Sequence, residues 1–459
     1  MFISFLKDIK RTLCLQKEHA QKKIMENRII VKLYGKELGE LYGENGRIVF
    51  RYLSANVEPS PFKMPTSNAF YSFESRNFQY THHLPPMLAD SLPDRFGSEV
   101  LKAYLASIHR ALQSLTAFER LSYIGEHGMG ALEYFPQLML SPHGDNRDSI
   151  DLSLLLKIGK EAENNKLNFQ FKANEKNMLE RIISISTSIG GARPKAVIGR
   201  DGSGNIISGL HTKLPPGYKH EIIKLETENT RGYGRVEYTY YQLARKSGII
   251  MMPSSLLSKE GCHFCTQRFD RTEEGEKIHV QSLAALQFLD HNQDSYRIED
   301  IMRMINHLSG DQRQIEQAYR RMVFNVLSAN RDDHPKNTSF LMNRQGRWSL
   351  APAYDLCYTY APQQAMWSNV HHTTVNGKND KITHADFVSL GKEFEVKKPD
   401  QIIEEIQDRF VAFPALAKEN GVSAEKIEII VANTQKIAKE FNAEKNIRVK
   451  HKPKNGFNL

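Results

Sequence analysis

The densest cluster of reactive side chains is Asn330-Arg331-Asp332-Asp333-His334-Pro335-Lys336-Asn337, a polar run following a long segment with helical apolar periodicity. Asp332 is followed four residues later by Lys336 and five later by Asn337. Phosphoryl transfer needs such a set: a carboxylate to accept the attacking hydroxyl's proton, a cation against developing charge, and an amide oxygen that helps hold Mg2+. Asp355, in Ala351-Pro352-Ala353-Tyr354-Asp355, lies eighteen residues after Asn337. It can supply the hard carboxylate oxygen that Mg2+ prefers. Either run alone reads more simply as a solvated loop with a capping Asp or Asn. On the two sides of one expected hairpin, they read together as a site.

Upstream lies Ser186-Thr187-Ser188-Ile189-Gly190-Gly191-Ala192-Arg193-Pro194-Lys195. Small residues there let backbone N–H groups close around phosphates, and Arg193 and Lys195 add charge. The run is not a GxxxxGK[ST] loop, and a plain Ser/Gly turn would also account for it. Lys224 stands alone in Ile222-Ile223-Lys224-Leu225. A lysine in that setting sends its ammonium toward an anion, in kinases the α/β-phosphates of the nucleotide; a solvated edge-strand lysine is the alternative. Glu237, thirteen residues later at a helix start, is either its ion-pair partner or a helix-terminal charge. Cys262 and Cys265 form a CxxC with no second ligand pair at similar spacing, so a strand is the better reading than a zinc site.

These residues have to be carried by a chain of 459 residues, more than one core usually organises. Its 40% apolar and 25% charged residues are ordinary for a globular enzyme, and no apolar run approaches the roughly 20 residues of a bilayer span. The 62 basic against 53 acidic residues leave a net +9, compatible with nucleotides or nearby nucleic acid and with many other partners. Four cysteines make no disulfide scaffold, which points to a reducing cytoplasm. The first residues lack a continuous apolar stretch and read as a basic helix or leader (1–26), not a signal peptide.

Strand pattern over 29–53, a Pro-rich stretch and a helix from about Asp94 make 27–145 an α+β subdomain. Residues 150–280 read as a small β-rich lobe: helices near 152–162 and 174–183, the glycine loop, a hairpin about Asp201–Asn205, the Lys224 strand, and a helix over 236–246. Residues 281–445 read as mainly helical, with the clearest helix from Asp311 to about Ser328, a hairpin over 339–350, and helices near 383–391, 399–418 and 423–441. A basic tail occupies 446–459. The fold class expected is α+β. Glycine loop, strand lysine, helix glutamate, hinge strand, helical lobe, DxxxxN and a later Asp follow one another in the order of a protein kinase's parts, without HRD or DFG in their usual forms.

The segments SIGGARPK, IIKLE, QRFDR, NRDDHPKN and LAPAYDL, in this order, closely resemble HipA-type serine/threonine kinases, the toxin half of a bacterial toxin–antitoxin pair. The likeness extends through LADSLPDRF and IGEHGMGALEY upstream and VNGKNDKIT downstream, about Ile29 to Phe410. It implies a kinase-like two-lobe core with an extra amino-terminal α+β subdomain. It implies that Asp332 is the catalytic base and that Asn337 and Asp355 hold Mg2+. ATP would be bound by the phosphate loop (Gly190, Gly191, Ala192, Arg193, Pro194, Lys195), by Lys224, and by an adenine hinge at Gln267, Arg268 and Phe269. His334, Lys336, Asn337, Tyr354 and Asp355 would complete the nucleotide set. Ser188 matches the regulatory autophosphorylated serine, with Ser184, Ser186 and Thr187 close by.

The resemblance further implies a target in translation, such as an aminoacyl-tRNA ligase, and a HipB-like helix-turn-helix antitoxin through which the complex reaches operator DNA. Two other readings compete: a kinase-like co-repressor that has lost activity, and a small-molecule phosphotransferase. The intact Lys224, Asp332, Asn337 and Asp355 count against the first, and the SIGGARPK loop against the second.

Overall fold

The computed structural model describes residues 28–443, apart from 55, 74–77, 139–148, 165–181, 187–190, 192, 260, 294 and 361–368. The expected helix at 174–183 falls almost wholly outside the described residues. By their contacts the residues form two compact units: one of Met1–Glu221, Asp270–Gln281 and Arg344–Gly346, the other of Ile222–Phe269, Ser282–Asn343 and Arg347–Leu459. Strands and helices occur in both, so the fold is mixed α and β, as the sequence leads one to expect. Among the described residues, no helix is long and apolar enough to cross a membrane.

In the first unit, β1 (Arg28–Leu33), β2 (Lys36–Glu44), β3 (Arg47–Tyr52), β4 (Phe70–Phe73) and, after a helical stretch, β5 (Leu132–Phe135) form an antiparallel sheet in the order β4-β3-β2-β1-β5. Ile29, Val31 and Leu33 alternate into the core from β1, the period-two pattern of a sheet with one buried face. Tyr34-Gly35 and Asn45-Gly46 make its two tight turns with positive φ at both residues, the geometry whose twist suits a two-residue hairpin. The helices α1 (Arg95–Ser107) and α2 (Ala117–Ile124) precede β5, and α3 (Leu152–Glu163) follows it. α2 opens with a reciprocal capping box between Thr116 and Glu119. The hairpin of β6 (Lys195–Arg200) and β7 (Ile206–Ser208) turns at the expected Asp201–Asn205, where Asp201 accepts the backbone N–H groups of Ser203 and Asn205. β8 (Lys219–Lys224) then carries the chain into the second unit.

His127 and His279 are buried in the first unit, and burial pushes both rings down to about 4 from the usual 6.5. Because the folded chain keeps these rings neutral, their contribution is complete above about pH 6.5 and is lost as pH falls toward 4. We expect the thermal midpoint to drop between pH 7 and 4.5. His279→Gln should flatten that slope by removing on the order of 1–3 kcal/mol of the stability lost across the interval. A slope unchanged in the variant would contradict the assignment.

In the second unit, α4 (Tyr233–Lys246) buries Val236, Glu237, Tyr240, Leu243 and Ala244, so Glu237 lies on the helix's inward stripe. β9 (Ser254–Leu257) and β10 (His263–Gln267) form an antiparallel hairpin, and Cys262-His263-Phe264-Cys265 runs into β10 as expected for a strand. α5 (Ile298–Ser309) packs on α6 (Gln312–Leu327), which buries Ile315, Ala318, Tyr319, Met322, Val323 and Val326. α6 ends at Ser328 and Ala329 takes a left-handed φ of 58°, turning the chain sharply into the polar run. The hairpin of β11 (Ser339–Met342) and β12 (Trp348–Leu350) pairs Phe340 with Leu350 and Met342 with Trp348. It returns the chain to Asp355. Helices α7 (His384–Glu393), α8 (Pro399–Val411), α9 (Phe413–Glu419) and α10 (Ala424–Phe441) complete the unit. The expected 399–418 helix is broken at Ala412, because Pro414 cannot donate to the preceding turn.

Candidate active site

Lys224 ends β8, and its ammonium forms ion pairs with both Glu237 of α4 and Asp355 beyond the β11–β12 hairpin. The Lys224 side chain is 12% exposed and that of Glu237 4%. Burial alone would push the ammonium down; the Asp355 and Glu237 carboxylates outweigh it and hold it above the usual lysine range. Phe264 of β10 adds an aromatic face 5.6 Å from Nζ. The lysine is thus a fixed cation. Asp355 itself has a φ of +53°, a conformation that Asp tolerates better than most residues and that turns its carboxylate out of the chain's course.

The polar run brings a second carboxylate to the same cavity, of about 50 Å3, whose lining includes Asp332, Asn337, Tyr354, Asp355 and Arg321. Asn337 is held in place because its side-chain amide donates to the Asp332 carbonyl at 2.6 Å. Tyr354 is fixed by donating to the Lys336 carbonyl and meeting Ser339 Oγ, each at 2.6 Å, and its ring lies 5.4 Å from that of Phe269. Arg321 donates to the Ala351 carbonyl at 2.7 Å, and burial pulls its guanidinium down to about 10.

Asp332 and Asp333 are neighbours in sequence and opposites in environment. The Asp332 side chain is 37% exposed, with His334 Nε2 3.6 Å from its Oδ1. Asp333 is 4% exposed and accepts from His371 Nδ1 at 2.9 Å and from the His372 backbone N–H at 2.8 Å. Both line the cavity, but of the two Asp332 is the carboxylate open to an incoming group. His334 lies between His291 and His372, with ring centroids 5.7 and 6.0 Å away.

Two family models match this chain: the HipA N-terminal domain over residues 29–135 and the HipA-like C-terminal domain over 187–413. The chain belongs to the HipA family. A curated relative, Y4dM of Sinorhizobium fredii, named as a candidate kinase, is 25% identical over 350 residues, 72% of this chain and 76% of its own. Among solved structures, HipA of Shewanella oneidensis MR-1, seen in a complex with HipB and operator DNA, matches with a TM-score of 0.60. That match covers 90% of this chain and 97% of the other at 15% identity, a likeness of fold.

Of the HipA-like site expected from the sequence, the structure gathers Lys224, Asp332, Asn337, Tyr354 and Asp355 in the second unit, with Gln267, Arg268 and Phe269 at the end of β10. Arg268 is buried, and Gln267 and Phe269 are half-buried. His334 and Lys336 flank Pro335 within the polar run, both half-buried. Gly190, Ala192 and Ser188 lie outside the described residues. Gly191, Arg193, Pro194 and Lys195 belong to the first unit, where the Gly191 N–H donates to Asp94 at 2.6 Å and Lys195 is buried at the start of β6. Sequence reasoning missed Thr359, whose hydroxyl accepts the backbone N–H groups of Arg331 at 2.7 Å and Asp332 at 3.2 Å. It also missed His371. Neither has a local signal, since each is identified only by a partner 27 or more residues away.

Proposed function

We propose that this HipA-family chain is an ATP- and Mg2+-dependent protein serine/threonine kinase acting as a toxin. The observation that carries the reading is the Lys224 ammonium held between Glu237 and Asp355, with the open Asp332 carboxylate on the cavity that Asp355 lines. A cation fixed for phosphates and an open carboxylate for a hydroxyl's proton are what phosphoryl transfer asks of a protein. Lys224, Lys195, Arg193 and the glycine-loop amides would bind the phosphates, with His334 and Lys336 beside them. Gln267, Arg268 and Phe269 would line the adenine, with Tyr354 against Phe269. Asp332 would take the proton from the acceptor hydroxyl.

The donor set fits Mg2+: Asp355 offers a carboxylate oxygen and Asn337 an amide oxygen, its amide nitrogen being already spent on the Asp332 carbonyl. Bound Mg2+ would supply charge neutralisation between the phosphates. Following the complex in which the Shewanella protein was solved, the partner would be a HipB-like helix-turn-helix antitoxin, with operator DNA reached mainly through it. The substrate would be a translation protein such as an aminoacyl-tRNA ligase, in the bacterial cytoplasm. Incubation with γ-labelled ATP and Mg2+, with candidate proteins and small molecules as acceptors, separates this reading from an inactive co-repressor and from a small-molecule phosphotransferase.

Ser188 is the expected site of self-modification. A phosphate there adds about −1.5 to −2 charge and would compete with ATP for Arg193, Lys195 and the loop amides. Mass spectrometry after incubation with Mg2+-ATP should find the phosphate at Ser188 in the active chain and not in Asp332→Asn. Phosphate only at Ser184, Ser186 or Thr187, or a modified form with normal ATP affinity, would contradict the switch.

A further inference from the structure

Asp333 is a buried carboxylate that the chemistry above does not use, yet both its oxygens and its carbonyl are engaged. Its Oδ2 meets His371 Nδ1 at 2.9 Å, and its Oδ1 accepts the backbone N–H groups of His372 at 2.8 Å and Thr373 at 3.4 Å. Its carbonyl accepts the Thr373 hydroxyl at 2.7 Å. An ionised carboxylate only accepts, so His371 carries its proton on Nδ1. The segment that grips Asp333 is itself fixed: the Tyr296 N–H donates to the His372 carbonyl at 3.1 Å, and Tyr296-Arg297 pairs in parallel with Thr373-Thr374. On the other side, Thr359 and Asn337 hold the Asp332 backbone. Asp332 therefore has an immobilised backbone, and among the described residues its carboxylate meets His334 Nε2 no closer than 3.6 Å.

We infer that Asp333, together with His371, is a positioning residue that aims the Asp332 carboxylate at the acceptor hydroxyl. The inference rests on the kinase reading and adds to it a buried group at the cavity wall whose oxygens are taken up by His371, His372 and Thr373. A displacement of about 1 Å at a reacting group can cost about 100-fold in rate. Loss of the anchor should therefore appear in turnover and not in ATP affinity.

The test compares the full-length chain with Asp333→Ala, His371→Leu and His371→Asn, measuring label transfer at saturating Mg2+-ATP, calorimetric ATP affinity and thermal melting. Asp333→Ala should lower turnover by about 100-fold while ATP affinity stays within about threefold. His371→Leu should lower turnover by about tenfold, and His371→Asn, whose amide nitrogen stands where Nδ1 stood, should recover most of it. Should Asp333→Ala fail to fold, the His371 pair decides by itself. Wild-type turnover in Asp333→Ala or His371→Leu overturns the positioning role alone. So does a parallel loss of turnover, affinity and melting temperature without rescue by Asn. A wild-type chain that transfers no phosphate overturns the kinase reading and this inference with it.

Discussion

Asp332→Asn is expected to lower phosphoryl transfer by about 10^2–10^4-fold and to leave ATP binding largely intact. The substitution keeps the side chain's shape and one acceptor oxygen but removes the group proposed to take the proton. Its neighbour cannot replace it, because both Asp333 oxygens are committed to His371, His372 and Thr373. His334 Nε2, 3.6 Å from Oδ1, lies beyond hydrogen-bond reach of the carboxylate it would have to relieve. Single-turnover label transfer beside a calorimetric ATP titration checks both halves. Near wild-type turnover would remove Asp332 from the base role.

Lys224→Ala and Asp355→Ala should each weaken nucleotide binding by about 10–100-fold, through loss of a charge-assisted contact. The two differ in what they leave behind. Without Lys224, the buried Glu237 carboxylate loses this ion pair, and stability should fall by about 3–5 kcal/mol. Without Asp355, Lys224 keeps Glu237, so the fold is affected less, while the benefit of added Mg2+ to ATP binding should shrink. ATP titrations with and without Mg2+, and denaturant melts of both variants, separate the effects. Unchanged affinity in both variants would place the nucleotide elsewhere.

Much of the site was legible in the sequence because its pieces are local. Asp332, Lys336 and Asn337 sit within six residues, and Lys224 is an isolated charge in an apolar strand. The Glu237 pairing was left open, since a glutamate near a helix start serves the helix dipole equally well. Position on the buried stripe with Val236 and Tyr240 decides for the ion pair, and stripe phase depends on where α4 begins. The adjacent carboxylates Asp332 and Asp333 could not be ranked by chemistry, being identical in type. Their difference is set by a segment some forty residues later that buries one of them. The single helix expected over 399–418 was wrong at one residue, where Pro414 interrupts an otherwise continuous apolar periodicity.

Under the proposed function, this chain moves the γ-phosphoryl group of ATP onto a protein hydroxyl. Incubation of the wild-type chain with γ-labelled ATP and Mg2+, followed by phosphoamino-acid analysis, tests it most directly. Acid-stable label on serine or threonine, absent in Asp332→Asn, is the expected result. No label on any protein, label recovered only on a small molecule, or equal label in Asp332→Asn would contradict it.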